Sequence, residues 1–405
     1  MPIVAPRHRR VFATLFAVFV VFGTSMTVIG ATLPRILESF GWEYVVAGAV
    51  LAANSIAYFS FTFVGGHLVK HWGPRLTMAL GLVIVTAGLA VFAARPDPWF
   101  NIAVAALMGV GQGGVEIAVN WSTLRLDPER TGRPMNLMHG AFAVGAILGP
   151  LALGAVLQAG FDWVAIYRGM AVVFGLLALW IVLAPMPLDP MPVAEPDAPP
   201  PVRLSRHPAY WLSFLALFFY VGVEIGLSNW IAQYFVTYFD YPATASALLV
   251  SLFWLGLLAG RFGVPVFFKG DRQEGVLVGF SLLATLTIVA LSALSFLPQG
   301  PVTEGAGLIV VALAGFGCSI YYPAVITLLG ELFPQAQSQA IGFAATGGGV
   351  GAFVFPFLMS ALAQGWGLRA GFATYAAFAV AMTAAAWGLT LFTARPGRRT
   401  APAAS

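Results

Sequence analysis

Glu116 lies in an apolar stretch, about residues 99–124, nine residues before Arg125. A helix through hydrocarbon would hold it near mid-membrane, where an ionised carboxylate is costly unless it is paired or protonated. Gln112, Glu116 and Asn120 recur every four residues, so a 3.6-residue turn sets them on one stripe. A polar stripe facing lipid is untenable, so this one must face protein or a water-filled cavity. Such a carboxyl either passes protons along a transport path or, protonated, hydrogen-bonds one helix to another. Glu224 repeats the pattern in residues 209–237, where Tyr220, Glu224 and Ser228 share a stripe. Gly222 and Gly226 flank it and are expected to let that helix bend at a solute. Both glutamates are candidate proton carriers, with a gate-closing hydrogen bond as the other reading of Glu224.

Aromatic and amide side chains crowd the same stretches: Trp121, Asn229, Trp230, Gln233, Tyr234, Trp254, Tyr321 and Tyr322. Flat rings beside amides suit a sugar, whose apolar face stacks while its hydroxyls exchange hydrogen bonds; membrane packing also places aromatics this way. The candidate solute ligands are Gln112, Asn120, Tyr220, Ser228, Asn229, Trp230, Gln233, Tyr234 and Tyr321. His139 could relay protons or hydrogen-bond between helices at the gate. Other patterns carry no chemistry. Gly109 to Gly114 fits a GxGxxG string, but a dinucleotide fingerprint needs a strand, a turn and a helix start, so close helix packing is the better reading. Asn120-Trp121-Ser122 matches a glycosylation sequon inside a membrane span, where no transferase reaches. No Walker A, HExxH or metal-spaced histidines occur, so no cofactor or metal is expected, and Cys318 is a lone packing residue.

The elements that must position these residues are twelve apolar stretches, at about 11–33, 45–69, 76–94, 99–124, 135–158, 166–185, 209–237, 244–267, 275–297, 304–330, 340–363 and 371–394. Each is near the roughly 20 residues that a helix needs to cross a 30 Å hydrocarbon core. With 59% hydrophobic and 9% charged residues, the chain could not cover a water-soluble surface. The predicted fold is an all-α membrane protein: residues 1–185 form one six-helix bundle, 186–208 a linker and 209–405 a second bundle. The linker holds eight prolines and reads as an extended tether. Phe22-Gly23 finds an echo in Val221-Gly222, and Gly145 to Pro150 in Gly351 to Pro356, as a duplication would leave.

Basic residues set the orientation. Sixteen of the twenty, including Arg7, Arg75, Arg133, Arg206, Arg261 and Arg398, fall on the side of the chain termini, leaving Arg35, Arg95, Arg168 and Arg369 opposite. The positive-inside rule then puts the termini and linker in the cytoplasm, and the first stretch reads as a retained span with no cleavage site. The scattered charges form no stripe for nucleic acid.

Gly66-His67-Leu68 through Gly73-Pro74-Arg75 resembles the major facilitator loop signature, with Lys70 where that signature has Asp. Gly66, Gly73, Arg75 and His139 are therefore candidate gating residues. Gly109-x-Gly111-x-Gly113-x-x-Glu116-x-x-x-Asn120, Asn136-Leu137-x-His139-Gly140 and Tyr220-Val221-Gly222-x-Glu224 with Trp230 and Tyr234 resemble the fucose/glucose proton symporter family. The resemblance implies a protonatable role for Glu116. The family also uses an Asp in its first span, and no acid lies between Val11 and Leu33 here. Gly145-x-x-x-Gly149-Pro150 resembles the signature of drug-proton antiporters. The expected function is a monomeric, non-enzymatic inner-membrane transporter moving a small polar solute, a sugar, with protons; the alternative is a proton-coupled exporter of drugs or metabolites.

Overall fold

Apolar runs of membrane length, stopped by Gly, Pro and polar caps, fold as helices. The computed structural model describes residues 4–126, 133–184, 204–267, 273–334 and 336–393. Among them are twelve helices long and apolar enough to cross a membrane: α1 (Arg9–Phe40), α2 (44–72), α3 (74–91), α4 (Pro98–Arg125), α5 (Arg133–Gln158), α6 (Val164–Leu183), α7 (Pro208–Tyr238), α8 (Ala243–Phe267), α9 (Gln273–Leu294), α10 (Pro301–Leu332), α11 (Gln337–Trp366) and α12 (Leu368–Thr393). Most of the linker and seven of the sixteen terminal-side cations, such as Arg130, Arg203 and Lys269, lie outside the described residues.

The stops are local chemistry. Gly41 ends α1 in the left-handed conformation, φ 60°, which glycine adopts without strain. α2 and α3 are one hydrogen-bonded run broken at Gly73, φ 80°, with Pro74 opening the new helix where its missing N–H costs nothing. Asp97 caps α4 by accepting from Phe100 N at 2.7 Å. α10 tightens at Ser319–Ile320 and resumes at Tyr321.

The two bundles repeat one another. α1 crosses α5 so closely that a methyl group at Gly23 would overlap the Phe142 carbonyl, and one at Gly145 the Val20 carbonyl. α7 crosses α11 the same way: Gly347 lies on the Phe214 carbonyl and Gly351 on that of Phe218. Gly109 and Gly113 of α4 meet the Asn54 and Tyr58 carbonyls of α2, while Gly111 meets Gly81 of α3, so the GxGxxG string is packing on two sides. Arg168 at the start of α6 donates to Leu89 O at 2.7 Å, and Arg369 at the start of α12 donates to Ser295 O at 2.6 Å. Gly222 and Gly226 do not form a bend. α7 runs unbroken through both, which accommodate the rings of Phe355 and Tyr375.

Between bundles, α1 meets α7 and α8, α2 meets α11, and α5 meets α8. Away from the chain termini the contact is backbone-close. Gly30 abuts Asn229, Gly48 abuts Ser360, the Tyr44 ring stands edge-on to Trp230 at 5.9 Å, and Tyr44 N donates to Gln364 Oε1 at 3.0 Å. On the terminal side Gly349 touches Phe59 and a methyl group at Gly140 of α5 would meet the Phe262 ring of α8, while Gly342 faces open space and His139 is exposed. The join is thus packed backbone to backbone at the end away from the termini, its closed end, and through side chains on the terminal side, its more open end.

Candidate functional site

The polar stripe of α4 divides between two jobs. Gln112 is wholly buried: it accepts from Asn54 Nδ2 at 2.9 Å and donates to Ser25 Oγ at 3.1 Å, tying α4 to α2 and α1. Asn54 also donates to Ala105 O at 3.0 Å. Gln112 therefore supports the stripe from behind. One turn on, Glu116 is partly exposed and Asn120 stands beside its carboxyl, with Asn120 Oδ1 lacking a partner.

In the second bundle, Glu224 lies at the middle of α7. Its Oε1 lies 3.7 Å from a terminal nitrogen of Arg261, whose Nε donates to Ser319 O at 3.3 Å in the break of α10. Arg261 is the residue that the sequence reading passes over. It lies within the 244–267 stretch, now α8, but is weighed there only for its side of the membrane, and the signal for more is present: a cation within an apolar span demands a partner. Tyr220 stacks on Tyr321 at 4.9 Å, its hydroxyl next to Glu224 yet without a well-formed hydrogen bond. Tyr322 lies within electrostatic reach of both Glu116 and Glu224, and His139 of α5 within reach of Arg261. Electrostatic reach thus links Glu116 and Glu224 through Tyr322, and Glu224 and His139 through Arg261, across the join of the two bundles.

The other candidates are spread out. Ser228 accepts from Trp254 Nε1 at 2.8 Å, and Tyr321 donates to Met382 O at 2.7 Å, so both are engaged in packing. Asn229, Trp230 and Gln233 lie at the closed end, buried, with Trp230 Nε1 and Gln233 Oε1 unpartnered. Tyr234 points away, stacked on Phe372 at 3.8 Å. Tyr234→Ala should therefore cost about 3 kcal/mol of stability, as truncating buried aromatics does; a melting curve in detergent should show it, with solute affinity per folded molecule unchanged. Among the gating candidates, Arg75 caps the last carbonyls of α6, donating to Ile181 O at 3.0 Å and to Val182 O, while Gly66 faces open space.

Twelve membrane-length helices in two repeated sets, with polar side chains at their join, have the layout of a membrane transporter. The chain belongs to the Major Facilitator Superfamily, whose description it matches over residues 15–302 and 270–405. It is similar to the glucose/mannose transporter GlcP of Bacillus subtilis, 21% identical over 366 residues, 87% of each chain. Among solved structures it superposes on a bacterial homologue of the human lysosomal transporter Spinster with a TM-score of 0.76 at 14% identity, covering 96% of this chain and 98% of that one. The Escherichia coli fucose:proton symporter gives 0.60 at 20% identity, covering 94% and 99%. Transporters of nucleosides and of nitrate also match. This is a multi-pass membrane protein with the fold of transporters rather than of enzymes.

Proposed function

We propose that this protein moves a small polar solute, a sugar, together with protons by alternating access. The observation that carries the reading is that Glu116 of one bundle and Glu224 of the other, the latter 3.7 Å from Arg261, both lie within electrostatic reach of Tyr322. Groups that can change charge at the joint between two bundles are placed to link protonation to their rocking. The glucose/mannose and fucose relatives support a sugar. Asn120, Tyr220 and Tyr322 would hold its hydroxyls, and Asn229, Trp230 and Gln233 would complete the site from the closed end.

Proteoliposome uptake of glucose, mannose, galactose and fucose, with proton and sodium gradients in separate arms, tests this. Accumulation of one of them driven by the proton gradient is expected. Accumulation driven by sodium alone, or extrusion of hydrophobic dyes in place of sugar uptake, would overturn it.

The excess of basic residues on the terminal side supports a reading in which the termini, the linker and the more open end face the cytoplasm. In a Cys318→Ala background, single cysteines replacing Pro98 and Ala198 should differ: an impermeant thiol reagent should label only position 98 in intact cells. Labelling of 198 instead reverses the orientation.

A further inference from the structure

Arg261 is dearer to hold than a neutral sugar requires. A guanidinium within a membrane span persists where its donors find acceptors. Here Nε is committed to Ser319 O, and one terminal nitrogen stands 3.7 Å from Glu224, beyond hydrogen-bond length and unlike the paired contact that Arg makes head-on with a carboxylate. Among the described residues the rest of the fork has no acceptor, and the side chain is 22% exposed. His139 of α5, exposed and beside Phe19 with ring centroids 6.4 Å apart, lies within electrostatic reach of Arg261 and offers a ring N–H in either charge state. Hydroxyl groups need neither a fixed cation nor a planar fork; a carboxylate matches both.

We propose that Arg261, with His139 within electrostatic reach, receives the carboxylate of a sugar acid, a polyhydroxylated monocarboxylate that the site holds more tightly than the corresponding neutral sugar. The polyol part of this assignment rests on the sugar reading above; the carboxylate part rests on Arg261. The incoming carboxylate takes the fork's free terminal N–H groups, while Glu224 keeps the nitrogen that it already faces and Tyr220 lies beside it. Because Arg261 also grips Ser319, solute bound there touches α8 and the break of α10 through one side chain.

The test is equilibrium binding to the full chain in nanodiscs, using D-glucuronate against D-glucose, D-galacturonate against D-galactose, and lactate as a carboxylate without the polyol. The acid of a pair should bind about tenfold or more tightly than its neutral partner, since a charge-assisted hydrogen bond is at stake. Arg261→Gln should erase that preference, and Arg261→Lys should keep part of it. Removing Arg261 strands Glu224; if the single variant does not fold, the double variant Glu224→Gln/Arg261→Gln takes its place, with the same loss of preference expected. Equal binding of acid and neutral sugars, or a preference that survives without Arg261, overturns the proposal and leaves neutral sugar transport standing. Arg261-dependent binding of lactate with no sugar of either kind keeps the carboxylate site and removes the sugar. Binding of no carboxylate overturns it.

Discussion

Glu116→Gln should abolish gradient-driven accumulation while leaving solute binding within a few-fold of the unaltered protein. The amide keeps the shape of the carboxyl and can still meet Asn120, but it cannot exchange a proton. Solute exchange across the membrane should persist, because exchange does not require an empty, deprotonated carrier to return. The measurement is paired: counterflow of labelled solute at equal pH, and uptake against an imposed pH gradient. A protein with counterflow but no uphill uptake is the expected result. Uphill transport by Glu116→Gln would make Glu116 a structural hydrogen-bond donor; Glu116→Leu would then be the damaging change, and Glu224 the acid to test.

The second large effect is structural. Gly145→Val should destroy the first bundle, because its Cβ would overlap the Val20 carbonyl, and backbone in a helix cannot step aside as a side-chain tip can. Overpacking costs about 1–3 kcal/mol where side chains can rearrange and more where they cannot. The expected outcome is little monodisperse protein by fluorescence-detected size exclusion, and a markedly lower melting temperature for what survives. Gly169→Val in α6, where nothing lies within 4 Å, is the control and should elute normally. Normal behaviour of Gly145→Val would mean that α1 and α5 can separate, and that the crossing is looser than its geometry.

Much of this architecture is legible in the chain because bilayer thickness dictates element length. Twelve apolar runs give twelve helices, and the breaks fall at Gly41, Gly73 and Pro98, where backbone chemistry requires them. Helix ends drift outward: α1 continues to Phe40, well past the last apolar residue of its run, because polar side chains at the membrane surface are no reason to stop a helix. What periodicity supplies is a face, and what it withholds is the neighbour. Gln112, Glu116 and Asn120 share a stripe, yet α1 and α2 cover Gln112 while Glu116 stays partly exposed. The same gap explains Tyr234, whose ring lies on Phe372 of a helix more than a hundred residues away in sequence, and the two glycines of α7 that accept rings and do not hinge. Arg261 was hidden for another reason. Counting loop cations treats a positive charge near a span end as solvent-exposed, whereas its partner, Glu224, sits on a different helix.

The depth of Glu116 has an electrical consequence. It stands eighteen residues from the start of α4 at Pro98 and nine from its end at Arg125. A proton arriving from the closed side would cross about two thirds of the bilayer's potential drop before binding, worth about 1.5 kcal/mol at 100 mV. One leaving by the open side would cross the remaining third. The membrane voltage would then act about twice as strongly on loading as on release, so polarising the membrane should raise apparent proton affinity on the far side more than it changes release.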